Sequence, residues 1–143
     1  MSNQNVVIGR GVNFSIEHLF KLYKEDPTKI MFNTEYQRSY IWKTPKKQLL
    51  IDSIMREYDI NKIFLRQLKD GAYECLDGQQ RLRSIFDFMD MDGAHRFPLG
   101  ECSRDQGLDG KTIEELENSY PQFYFKLLFY KIAEVVPEIW TGC

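Results

Sequence analysis

Five consecutive positions, Asp77-Gly78-Gln79-Gln80-Arg81, gather an acid, a glycine, two amides and a guanidinium. They fall where an extended stretch, Ala72-Tyr73-Glu74-Cys75-Leu76, gives way to a helical pattern. Leu82, Ile85, Phe86 and Met89 recur at i, i+3, i+4 and i+7, one apolar helix face. Asp77 is placed to cap that helix, and Gln80 three residues on makes a capping-box-like pair. Gly78 lets the backbone turn tightly and approach a ligand closely. A helix N-terminus presents unpaired N–H groups and partial positive charge, which attract anions. Arg81 and Arg83 add formal charge, and arginine grips phosphate oxygens in bidentate fashion. The chemistry indicated is phosphate binding. The same residues also read as ordinary helix punctuation with solvated arginines, and the sequence leaves both readings open.

The elements that must position this turn follow from periodicity. Residues 1–13 are polar and are expected to be a flexible N-terminus, with the domain running over 14–143. Ser15 is expected to cap a helix bearing Ile16, Leu19, Phe20 and Tyr23, stopped at Asp26-Pro27. Lys29–Phe32 reads as a short strand. Thr44-Pro45 opens a second helix, with Thr44 as cap and Pro45 at the first helical position. Leu50, Ile54 and Tyr58 form its stripe, widened by Leu49 and Ile51. Ile63–Leu68 alternates as a strand, and Asp70-Gly71 signals a hairpin into Tyr73–Leu76. The motif helix covers 79–90, residues 91–111 read as irregular, Thr112 caps a short helix, and Tyr130–Val136 reads as a strand. The pattern predicts an α+β domain with a small mixed sheet and flanking helices.

Composition narrows the class. The chain has 143 residues, 43% hydrophobic and 28% charged, which suits one globular domain. A formal net charge of −2 argues against broad, charge-driven nucleic-acid binding. Cys75, Cys102 and Cys143 are odd in number and widely spaced, and neither His18 nor His95 has ligand-like neighbours. That usage predicts a reduced, cytoplasmic setting and no structural zinc. No run approaches the roughly 18 apolar residues of a membrane span, so no membrane partner is expected.

Tyr36-Gln37-Arg38-Ser39-Tyr40-Ile41-Trp42-Lys43, taken with Leu76-Asp77-Gly78-Gln79-Gln80-Arg81-Leu82, resembles the N-terminal domain family of the GmrSD restriction endonucleases. Leu49–Ile54 after the first motif and Gly110-Lys111-Thr112 further on fit as well, so the likeness runs from about Phe14 to Val136. The resemblance implies a ParB/sulfiredoxin-like fold and nucleoside triphosphate binding and hydrolysis, coupled to restriction of modified phage DNA. The family usually continues past the last strand into an Asn-containing segment and a helical region, and full-length members often carry an HNH-type nuclease domain. The chain ends at Cys143 without these, so it reads as truncated at its C-terminus, with any nuclease in a partner domain or subunit.

On the matching positions, Arg81 would clamp a phosphate or neutralise a transferring phosphoryl group; otherwise it pairs with Asp77 or with the 91–111 segment. Asp77 would hold Mg²⁺ or orient an attacking water; otherwise it is only a cap. Gln79 and Gln80 would position water or read a base edge. Gly78 gives close approach. Arg38 would enter the same cleft as a second phosphate contact, or stack on Tyr40 or Trp42 at the surface. Tyr36, Tyr40 and Trp42 could stack a base, although aromatics at this spacing more often build a core. Lys43, Lys46 and Lys47 form either a basic edge or a solvated helix start. The site expected from these residues has Asp77, Gln80 and Arg81 as catalytic, Arg38, Gly78, Gln79 and Arg81 as nucleotide-binding, and Asp77 as the metal ligand. The expected function is a triphosphate-binding and hydrolysing module of a modification-dependent phage-defence system. The alternatives are a non-catalytic nucleotide sensor, or a DNA-binding adaptor, controlling a partner nuclease.

Overall fold

A computed structural model describes residues 12–32 and 41–136. Ser15 caps helix α1 (Ile16–Glu25) as the sequence predicts, its Oγ accepting from the His18 amide at 3.2 Å. Asp26 ends α1 and starts a 3₁₀ turn over Pro27–Lys29. Its carboxylate accepts from the Thr28 hydroxyl and amide, which holds it below the usual carboxylate range. Residues Val12–Ser15 before α1 form a strand, β1, where the polar sequence predicts loose chain up to residue 13. The pairing partner lies far away in sequence: β1 runs antiparallel to β5 (Lys131–Val136).

The remaining strands are β2 (Ile30–Met31), β3 (Ile63–Gln67) and β4 (Tyr73–Asp77). Their order is β1-β5-β3-β4-β2, with β5/β3 and β4/β2 parallel and β3/β4 antiparallel, so the sheet is mixed. The hairpin between β3 and β4 turns at Gly71, which has φ +86°. Alternation sorts the faces: Ile63, Leu65 and Cys75 are buried, while Phe64, Arg66, Glu74 and Leu76 lie on the open side. An Arg66–Glu74 ion pair bridges the two strands there.

Helices α2 (Thr44–Met55), α3 (Gln79–Met89), α4 (Ile113–Ser119) and α5 (Pro121–Leu128) complete the domain. The core joins Ile51, Ile54 and Met55 of α2 to Leu82, Ile85 and Phe88 of α3, with Leu127 of α5 and the sheet residues. Thr112 and Glu115 form the capping box of α4. Two details of α2 differ from expectation. Lys43 is its N-cap and Thr44 already helical, and Tyr58 lies beyond its end, 57% exposed, after Glu57 adopts φ +63°. The 91–111 excursion holds a 3₁₀ stretch, Glu101–Gln106, pinned to α2 through Arg56, which donates to Asp52 and Asp105.

Candidate functional site

Strand β4 ends at Asp77 and α3 begins at Gln79, so a single residue, Gly78, makes the bend. Its φ of +95° lies in the left-handed region that L side chains rarely adopt. The position is also crowded: a Cβ there would lie 2.8 Å from Arg81 Nη2 and 2.8 Å from Ile63 Cγ1. Glycine is therefore required by backbone and by space. Gly78 is itself the N-cap of α3, without a side-chain cap. This corrects two expectations. Asp77 stands one residue too early to cap and remains exposed at the end of β4. Gln80 closes no capping box; its Oε1 accepts from the Trp42 amide at 3.2 Å. The reason is the left-handed residue, which puts the Asp77 side chain before the turn instead of over it.

An open cleft of about 460 Å³ lies at this helix end, lined by Trp42 and by every residue from Leu76 to Arg81. The first intrahelical bond of α3 runs from the Leu82 amide to Gly78 O at 3.0 Å. The amides of Gln79, Gln80 and Arg81 precede it and have no acceptor within the helix. Arg81 folds back across Gly78, its Nη2 donating to Lys62 O at 3.1 Å, while its buried Nε has no acceptor. Of the pairings open to Arg81 in the sequence, neither Asp77 nor the 91–111 segment is its partner among the described residues; the backbone before β3 is. Gln79 is 7% exposed and lines the cleft, and its Oε1 has no hydrogen-bond donor. Beneath the turn, the Cys75 thiol donates to Asp77 O at 3.5 Å.

Trp42 has the structural role considered for it, and it also stands at the cleft. It packs against the core and borders the cleft, with Lys46 Nζ 4.6 Å from its ring centroid. Lys47 is paired with Asp87 at 3.3 Å. His18 lies against Phe14, with ring centroids 4.4 Å apart and the planes tilted by 49°. Arg38, Tyr36 and Tyr40, expected at the same cleft, lie outside the described residues, as does Cys143. The tie from Arg81 to Lys62 O was not legible beforehand, because a backbone carbonyl carries no sequence signal.

With the two motif regions thus joined through Trp42 and Gln80, the comparison with protein families is decisive. The model of the GmrSD restriction endonuclease N-terminal domain matches residues 16–137. The chain belongs to that family. The GmrSD N-terminal domain match spans α1 to the end of β5, so it takes in the cleft and the helices of the described residues. A search of curated proteins and of solved structures returns no match. Among the described residues no three His, Cys, Asp or Glu side chains cluster as a metal site, and no helix is long and apolar enough to cross a membrane.

Proposed function

We propose that this GmrSD N-terminal domain binds a nucleoside triphosphate at the Leu76–Arg81 cleft and hydrolyses it, as a module of a phage-defence system directed at modified DNA. The observation that carries the reading is the coincidence, in one cleft, of a long helix's N-terminus, an obligatory glycine, Arg81 and a buried, unpaired Gln79 oxygen. In this reading the sheet and α3 hold the nucleotide in a ParB/sulfiredoxin-like manner. The positive N-terminal end of α3 and the Arg81 guanidinium meet phosphate oxygens, and Arg81 offsets charge developing on the transferring group.

Asp77 is the one carboxylate among the described residues of the cleft, and it is exposed. That fits Mg²⁺, which is commonly held by one or two carboxylates together with substrate phosphates. Bound there, Mg²⁺ would supply neutralisation of phosphate charge. Asp77 and Gln80 would orient the attacking water, and Gln79 would accept from a ribose hydroxyl or a base amino group. Arg38 adds a second phosphate contact in this proposal, and a nuclease domain or subunit acting on modified phage DNA is the partner.

The test is calorimetric titration with each of the four ribonucleoside triphosphates and Mg²⁺, followed by measurement of phosphate release. Arg81→Ala is expected to weaken binding by about 1.5–3 kcal/mol, the range for a hydrogen bond to a charged group. An unchanged Kd would remove Arg81 from the phosphate site. Asp77→Ala is expected to retain binding while phosphate release is lost.

A further inference from the structure

A second cavity, of about 330 Å³, opens on the next turns of α3 and shares Gln80 with the cleft at its N-terminus. Its walls differ in kind from those of the first. Tyr23 and Phe86 stack with ring centroids 4.5 Å apart and 23° between planes. Phe32 carries the Arg83 guanidinium 4.1 Å from its ring centroid. The Arg83 Nε is buried without an acceptor, and the residue also borders the recess. Asp87, one turn beyond Arg83 on the same face of the helix, supplies a carboxylate that is 27% exposed and pairs with Lys47 at 3.3 Å. Aromatic faces, a fixed guanidinium donor and a carboxylate acceptor therefore converge on one recess.

That set matches a nucleobase. A base is a flat π-system that stacks on aromatic rings and on guanidinium planes, with hydrogen-bond donors and acceptors side by side along its edge. The distance is also right. Arg83 lies one turn along α3 from Gln79, about 6 Å at 1.5 Å per residue, the order of the offset between a nucleotide's phosphates and its base. Gln80 borders both cavities, and the ribose would lie beside it. An inorganic anion alone would have no use for these aromatic walls.

We infer that the recess bounded by Phe32, Arg83 and Asp87 is the base subsite of the triphosphate site, with Arg83 donating to a ring nitrogen or carbonyl and Asp87 accepting from a base N–H. This rests on the triphosphate reading above. Its chemical consequence is that recognition is divided along one helix. The first turn takes phosphates without regard to the base, and the second and third turns distinguish a nucleotide from a bare polyphosphate.

Parallel titrations of the intact chain, with Mg²⁺, against inorganic tripolyphosphate and against the four nucleoside triphosphates test the assignment. At least one nucleoside triphosphate is expected to bind ten-fold or more tightly than tripolyphosphate. Arg83→Gln and Asp87→Asn should each erase five-fold or more of that gain, read as the ratio of nucleotide to tripolyphosphate affinity, with circular dichroism showing that the variants are folded. Equal binding of nucleotide and tripolyphosphate, or a gain that survives both substitutions, overturns the base subsite and leaves the phosphate site standing. Absence of binding by either ligand overturns the triphosphate reading, and the base subsite with it.

Discussion

At position 78 the missing β-carbon matters twice, through a φ of +95° and through Arg81 Nη2 and Ile63 Cγ1, each 2.8 Å from where that carbon would be. Gly78→Ala is expected to cost roughly 1–3 kcal/mol, the scale of local backbone strain, and to displace Arg81 from Lys62 O. Denaturant titration reads the stability loss, and phosphate-ligand titration reads the displaced guanidinium. An alanine variant as stable as the parent would show that the turn can relax. Three residues earlier, burial pushes the Cys75 thiol up to about 11 from an ordinary value of 9.0. The folded protein therefore keeps a proton that the unfolded chain has already lost over this interval. Stability present below pH 9 should fall as the pH rises from about 9 to about 11. Cys75→Ala should flatten that decline relative to the parent when unfolding is followed across the pH series; an equal slope in both proteins would show that the thiol is not the titrating group.

Elements are tied together by a small set of buried polar contacts, and one of them lies well away from the cleft residues. Asp52 of α2 is 3% exposed and accepts from Ser103 Oγ at 2.8 Å and from Arg56 Nε at 2.7 Å. Arg56 continues to Cys102 O and to Asp105, at 3.1 Å and 2.7 Å. This network joins the end of α2 to the 3₁₀ stretch over Glu101–Gln106, which sequence periodicity alone leaves as irregular chain. Asp52→Ala leaves a buried serine hydroxyl unpaired and removes the more buried of the two carboxylates paired with Arg56. The expected loss is about 2–3 kcal/mol, below the range for a fully buried pair because Arg56 keeps Asp105 and some contact with water. The denaturant midpoint should fall with the slope unchanged, while the triphosphate binding proposed at α3 is expected to match that of the parent. A shift in ligand affinity instead would link the two ends of the domain.

For the whole molecule, the charge of −2 sets what it can hold. Non-specific DNA affinity rests on lysines and arginines meeting phosphates. Here many of the basic side chains are engaged: Lys24 with Asp90, Lys47 with Asp87, Arg96 with Glu114 and Arg104 with Asp109. His18 and His95 stand apart, on α1 and in the loop after α3. This chain by itself is therefore expected to leave modified phage DNA uncut in the presence of Mg²⁺ or Mn²⁺ and any nucleoside triphosphate, as read by gel electrophoresis. Cleavage that follows the purified protein and disappears in Asp77→Ala would show that the domain is itself a nuclease.

Local pattern was enough to specify much of this protein. Serine before an apolar stripe sets α1, Asp-Gly sets the β3–β4 hairpin, and Thr-x-x-Glu sets α4, because each depends on contacts within a few residues. The resemblance carried jointly by the stretches at 36–43 and 76–82 indicated the family, and the α+β class followed from alternating and helical periods. The tertiary structure decided what depends on distant chain. β1 exists because β5 offers it a partner more than a hundred residues on, which no local propensity reveals. Asp77 and Gln80 lost their capping roles because Gly78 turns left-handed, and Gln80 found the Trp42 amide instead. Arg81 is aimed by a carbonyl, and Arg83 meets Phe32 only because β2 lies beside β4. Helix starts and turns answer to short-range hydrogen bonding, whereas the direction of a long side chain is set by whatever surface the fold brings against it.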